Sequence, residues 1–272
     1  MAFAWLKGHG TENDFVLLPD HEGTLHGQLD AAFVAALCHR RRGLGADGVM
    51  RVIRSDALGV KSDGEWFMDY RNADGLASQM CGNGIRLFAL HLVAEGLADP
   101  AAPLVIGTRD GDKTVSIDGE AISVDMGSAQ VRGVSKVTAE GHTWEATDVR
   151  TGNPHAVAFV ERLDEAGALL AQPEYDEVTY PDGVNIEFVQ RVGDSHIAMR
   201  VHERGSGETR SCGTGACAAT VAAAVADGVQ RPVTYRVDVP GGTLHVTWTA
   251  DERLVLTGPA EIVARGTMDW IA

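Results

Sequence analysis

The chain has 272 residues, of which 44% are apolar and 22% charged; this is a globular composition, long enough for one large or two medium cores without a disulfide or metal staple. Against 38 Asp and Glu stand 23 Lys and Arg, and the resulting formal charge of −15 would repel a phosphate backbone, which argues against nucleic acid as a partner. No apolar run reaches the ~18 residues of a membrane span, residues 1–10 lack a basic-then-apolar leader, and four cysteines in so long a chain make no disulfide framework, so the sequence reads as cytoplasmic with free thiols.

In chain order, helical periodicity comes first over Leu29–Arg42 and again over Ile85–Glu95. Strand-like runs follow at Leu104–Thr108, Val115–Ile117 and Ile122–Asp125, the last two forming a hairpin about Asp118-Gly119. The second half reads as strand Ala156–Val160, helix Leu163–Ala171, strands Val184–Gln190 and His196–Val201, helix Ala216–Asp227, and strands Val233–Val239, Leu244–Thr249 and Leu254–Thr257. Strands outnumber helices and cluster as hairpins, so the expected class is α+β rather than a βαβ succession. Ala216 to Ala226 carries no charge, and Ile85 to Ala94 carries only Arg86 and His91 among apolar neighbours. A helix apolar all round is a buried one, which predicts two pseudo-symmetric domains, each a β-sheet wrapped around a central apolar helix. The expected domains are 1–120 and 121–262.

Internal repetition supports the duplication. Met80-Cys81-Gly82-Asn83-Gly84 and Ser211-Cys212-Gly213-Thr214-Gly215 share a Cys-Gly-polar-Gly frame, and each runs into one of the apolar helices. Nine residues before each cysteine stands a polar side chain, Asn72 and Glu203, and Gly10 to Val16 is loosely echoed by Gly152-Asn153-Pro154-His155 ahead of Phe159-Val160. Each loop delivers a thiol to a helix N-terminus, where N–H donors and the dipole favour a thiolate and can also hold a carboxylate. If the two loops face each other, one carboxylate lies between two helix ends with a sulfur on either side of its α-carbon. That arrangement suits stereoinversion, because one group must remove a proton from one face while another returns a proton to the opposite face. One cysteine must then be thiolate and the other thiol, the two titrating as a pair.

Taken together, Met80–Gly84, Glu203–Thr209, Ser211–Gly215, His9–Phe15 and Gly152–His155 resemble the diaminopimelate epimerase family, from residue 7 to about residue 260. The resemblance implies a cofactor-independent epimerase that converts LL- to meso-diaminopimelate for lysine and peptidoglycan precursors, a homodimer, and two similar domains with the active site between them. It alone implies that the segment 263–272 packs back on the first domain. It implies Cys81 and Cys212 as acid/base groups, with His155 beside Cys81 and Glu203 beside Cys212. Asn13, Asn72, Asn153, Asn185, Glu203 and Arg204 match substrate-contacting positions, and the amides of Gly82–Asn83 and Gly213–Thr214 match the positions that hold the reacting carboxylate. One departure is visible: many members carry Gln where Gly48 stands.

Blander readings compete at several positions. Gly43, Gly45 and Gly48 fit G-x-G-x-x-G, but a helical stretch precedes them where a dinucleotide fingerprint needs a strand, so Gly43 reads as a helix end. Cys38 and Cys217 read as core. The cysteines lie in glycine turns rather than Cys-x-x-Cys knuckles, which predicts no metal site, and no lysine falls within the paired motifs to hold pyridoxal phosphate. The alternatives to diaminopimelate epimerisation are a proline racemase or hydroxyproline epimerase of the same fold and a thiol–disulfide redox protein.

Overall fold

The computed structural model describes residues 2–269. The chain divides into two compact units, Met1–Val124 with Gly258–Ala272, and Asp125–Thr257. Unit 1 contains β1 (Ala2–Gly10), β2 (Asn13–Pro19), α1 (Ala31–Cys38), β3 (Gly48–Arg54), α2 (Ser55–Leu58), β4 (Trp66–Asn72), α3 (Gly82–Ala94), β5 (Leu104–Gly107), β6 (Lys113–Asp118) and β7 (Ala121–Ser128). Unit 2 contains β8 (Gln130–Ala139), β9 (His142–Thr151), β10 (Asn153–Val160), a 3-10 turn (Leu163–Ala166), β11 (Glu174–Tyr175), β12 (Asn185–Gly193), β13 (His196–Glu203), β14 (Gly207–Thr209), α4 (Gly213–Asp227), β15 (Val233–Val239), β16 (Gly242–Trp248) and β17 (Arg253–Gly258). The chain then returns to unit 1 as β18 (Glu261–Asp269), antiparallel to β1 from Ala2↔Asp269 to His9↔Glu261. Of the segment expected to pack back, residues 270–272 lie outside the described residues.

The pairing pattern repeats. In unit 1, β1 and β2 are antiparallel, β2 and β3 parallel, β3 and β4 antiparallel, and β4 and β5 parallel, with β6 and β7 continuing as hairpins. In unit 2 the same sequence of directions runs through β9, β10, β12, β13, β15, β16 and β17. A long helix enters between the equivalent strands each time. Helix α3 packs on β1, β2, β3, β6 and β18, and α4 packs on β9, β10, β12, β13, β15 and β16. Residues 215–224 of α4 are buried throughout, and its alanines let strands approach closely on all sides at the lowest helix-propensity cost. It ends at Gly228, whose left-handed backbone (φ 64°) suits glycine.

Two expected helices are shorter than their patterns. Asp30 caps α1 by accepting from the Phe33 N–H at 3.0 Å, but the helix stops at Cys38 because Arg40 is drawn away by ion pairs to Asp14 (2.7 Å) and Asp47 (2.6 Å). Gly43 therefore lies in the following turn, and a Cβ there would stand 2.2 Å from the Ala36 carbonyl oxygen. Leu163–Ala171 forms only the single 3-10 turn, closed by Gly167 at φ 68°. Strands β1 to β4, β8, β9, β11, β14 and β18 are absent from the runs named above. In β3 and β4 nearly every position is buried, and a strand covered on both faces loses its alternation.

Candidate active site

In unit 1, Cys81 is itself the N-cap of α3: its backbone is extended, and Sγ accepts from the Gly84 N–H at 3.4 Å. The thiol lies within 3.5 Å of Asn13 Oδ1, which also receives Asn83 Nδ2 at 3.3 Å, while Asn13 Nδ2 donates to Asp47 at 2.8 Å. Asp47 thus anchors Asn13, and Asn13 anchors the cysteine loop. Arg86, fully buried one turn into the helix, donates to Gly82 O (3.0 Å), Asn83 Oδ1 (2.9 Å), Thr11 Oγ1 (3.2 Å) and Pro259 O (3.2 Å). The Asn83 residue is 1% exposed, and its side chain is tied into the protein by Arg86, Thr11 and Asn13. Asn72 is exposed at the end of β4, opposite Gly48. A Cβ at Gly48 would stand 2.5 Å from the Arg71 carbonyl oxygen, so β4 occupies the space a glutamine would enter. Burial pushes the Asp14 carboxyl up, but bonds from Arg40 and Lys7 outweigh it and hold that group below its usual value.

In unit 2, Cys212 repeats the cap on α4, with Sγ accepting from the Gly215 N–H at 3.4 Å and Thr214 Oγ1 at 3.5 Å from it. Thr151, at the end of β9, donates to Thr214 O at 3.2 Å and ties this turn to the sheet. Asn185 is 4% exposed and bonded at both ends of its amide: Nδ2 donates to Pro154 O and Oδ1 accepts the Arg204 N–H, each at 3.0 Å. That bond fixes the turn after β13 and leaves the Arg204 guanidinium exposed, with Nη1 donating to Asp182 O at 2.9 Å. Glu203, half-buried, accepts from the Thr209 hydroxyl. His155 is fully buried; its Nδ1 lies 2.7 Å from Glu187 Oε1 and its Nε2 2.9 Å from Asn153 Oδ1.

Cys212 departs from the thiolate expected of a helix N-terminus. Burial pushes its thiol well up, and the carboxylates of Glu203 and Glu187 push in the same direction, outweighing the Thr214 and Gly215 donors. That direction favours the thiol, the form that donates a proton. Burial and the Glu203 and Glu187 carboxylates thus act on Cys212 against the pull of the helix dipole.

Within unit 1 the structure gathers Asn13, Cys81, Gly82 and Asn83 into one bonded cluster. Within unit 2 it gathers Asn153, His155 and Asn185 along β10 and β12, with Arg204 bonded to Asn185 from the turn after β13, Cys212, Gly213 and Thr214 on the adjoining helix turn, and Glu203 in electrostatic reach of the sulfur. Glu187 and Arg86 were not among the expected residues. Each left a signal, a charge inside an apolar strand or helix where only a buried partner can hold it. Among the described residues no group of three or more His, Cys, Asp or Glu could hold a metal ion, and no helix is long and apolar enough to cross a membrane.

Comparison with known proteins agrees with this geometry. The family model for diaminopimelate epimerase matches residues 5–132 and 147–263. A diaminopimelate epimerase of Streptomyces coelicolor is 53% identical over 98% of this chain and 96% of the relative, and one of Mycolicibacterium smegmatis is 46% identical over 99% and 97%. Among solved structures, a Bacillus anthracis phenazine biosynthesis protein of the PhzF family aligns with a TM-score of 0.75 at 16% identity, covering 99% of this chain and 100% of that one. A hydroxyproline epimerase from Agrobacterium vitis aligns at 0.70 with 17% identity, covering 98% and 92%. At such identities these structures speak to fold alone, so the proline and redox alternatives gain nothing from them. With paired N-cap cysteines in a repeated fold and a match over nearly its whole length, the chain belongs to the diaminopimelate epimerase family.

Proposed function

We infer that this protein epimerises LL-diaminopimelate to meso-diaminopimelate by a two-base mechanism without pyridoxal phosphate, supplying lysine and peptidoglycan precursors. The observation that carries the reading is the pair of cysteines capping two equivalent buried helices, in a chain whose relatives at 53% and 46% identity are diaminopimelate epimerases. In the LL-to-meso direction one sulfur, as thiolate, takes the α-proton, and the other, as thiol, returns a proton to the opposite face. The raised thiol of Cys212 supports its role as donor in one direction. His155 and Glu203 assist, and Asn13, Asn72, Asn153, Asn185 and Arg204 hold the two zwitterionic ends, Arg204 through its exposed guanidinium. The amides of Gly82, Asn83, Gly213 and Thr214 receive the carboxylate at the reacting carbon, as helix N-termini do for anions. The same reading makes the protein a cytoplasmic homodimer acting on a small molecule.

Turnover in deuterium oxide tests it. Wild type should place solvent deuterium on the α-carbon of LL-diaminopimelate and leave proline untouched. Cys81→Ala and Cys212→Ala should each lower epimerisation by about 100-fold or more, since neither remaining base serves both faces. Turnover of proline alone would refute the substrate, and near-normal rates in either variant would refute the roles of the sulfurs.

A further inference from the structure

The repeated pairing register allows the two units to be compared residue by residue. Phe15↔Gly48 in unit 1 corresponds to His155↔Asn185 in unit 2, so Met50 corresponds to Glu187 two positions along the strand. Both positions pack against the third residue after the capping cysteine. A Cβ at Gly84 would lie 3.0 Å from Met50 Sδ and 3.5 Å from Phe15 Cζ; a Cβ at Gly215 would lie 2.7 Å from Glu187 Oε1. All four side chains are fully buried. In one unit the place beneath the helix turn is filled by an apolar pair; in the other the same place holds an imidazole and a carboxylate 2.7 Å apart.

The fold therefore does not require a charge there. Glu187 Oε2 is buried without a hydrogen-bond partner among the described residues, a costly state for a carboxylate that serves only to fill space. We propose that Glu187 is a positioning residue of the reaction, a single carboxylate that orients the His155 ring through Nδ1 and places negative charge under the helical turn carrying Cys212. This deepens the epimerase reading and rests on it.

Two consequences follow for this chain's own atoms. A carboxylate accepting at Nδ1 requires the proton on Nδ1, and on the opposite side of the ring Asn153 Oδ1, 2.9 Å from Nε2, is a second acceptor, so the two contacts fix the ring's orientation. On its other side Glu187 joins Glu203 in holding the Cys212 proton in place. The groups facing this carboxylate are His155 from β10 and the Cys212–Gly215 turn of α4; Tyr180, bonded to Ser135 and covered by Arg150, is within electrostatic reach of it, as Glu203 at the end of β13 is of Cys212.

The test compares wild type, Glu187→Gln and Glu187→Asp with LL-diaminopimelate across pH. Glu187→Gln keeps the shape and removes the charge; kcat should fall about 10- to 100-fold with KM changed by less than about threefold. The high-pH limb of kcat/KM should move to lower pH, because losing the anion eases ionisation of Cys212. Glu187→Asp, which keeps the charge, should return that limb toward wild type. A Glu187 that is merely structural would lower Tm while leaving the pH profile unmoved, and that result would overturn the proposal. Nitrogen-15 spectra of labelled histidine in wild type give a second reading that does not depend on a variant's folding: a protonated Nδ1 at His155 supports the proposal, and an unprotonated Nδ1 overturns it. Wild type inactive on LL-diaminopimelate would sink the functional reading itself. An active wild type whose pH profile superimposes on that of Glu187→Gln would sink only the role of Glu187.

Discussion

His91 shows how much a single buried ring can bias the response of this chain to acid. It is 1% exposed in α3, and neither ring nitrogen has a hydrogen-bond partner among the described residues. Burial holds its pKa down at about 4, against 6.5 unperturbed. Between those values the unfolded chain binds a proton that the folded chain refuses, so the stability His91 allows is complete above pH 6.5 and is lost as pH falls toward 4. Between pH 7 and pH 5 the loss is about 2 kcal/mol at one site. Urea unfolding at the two pH values should show a smaller drop in His91→Leu than in wild type, with part of the drop remaining because burial also depresses His26 and His202. Equal drops in the two proteins would refute this account. The residue types at the candidate site were legible as motif letters, Cys81, Cys212, His155, Glu203 and Arg204 among them. Glu187 showed only as a charge within an apolar strand, and burial and a partner had to be known before that signal could be told from a solvated glutamate.

Among the elements, α4 is the one whose composition states its position. A charge-free, alanine-rich stretch behind a Cys-Gly-x-Gly turn can only be a buried helix with a polar entrance, and both long helices start three residues earlier than periodicity alone placed them. The reason is that the cysteine sulfur itself caps the helix, drawing the glycine turn into the first turn. The same closeness makes the turn intolerant of bulk. Gly215→Ala would set a methyl 2.7 Å from Glu187 Oε1 and 3.3 Å from Cys212 Sγ, and should cost about 1–3 kcal/mol while displacing the carboxylate. Thermal unfolding together with the pH profile checks this; a variant of unchanged Tm and unchanged profile would show that the turn relaxes freely. Strands β3 and β4 were harder to read, since burial of nearly every position removes the alternation by which a strand announces itself.

For the whole molecule, the notable feature is a unit made from both ends of the sequence. Strand β18 pairs with β1 along nearly its full length, and the Pro259 carbonyl accepts from buried Arg86, which also binds the Cys81 loop. Ending the chain at residue 257 would leave β1 with an open edge and Arg86 short of an acceptor, and each buried unpaired polar group costs about 1–3 kcal/mol. The truncated chain should melt well below the full chain and lose epimerase activity. Full activity and Tm in the truncated protein would show that unit 1 closes without its last strand.

The sequence alone determined that there are two similar halves, each with a cysteine at the mouth of an apolar helix and polar residues at matched distances before it. These are short-range properties, carried by caps, glycine turns and runs of side chains of one character. Only the tertiary structure decided that Glu187 lies beneath one helix where Met50 lies beneath the other, that burial and two carboxylates push the Cys212 thiol up against the pull of the helix dipole, and that a strand from the far end of the chain completes unit 1. Each depends on desolvation or on strand pairing between distant segments, quantities that exist only once the chain has closed around them.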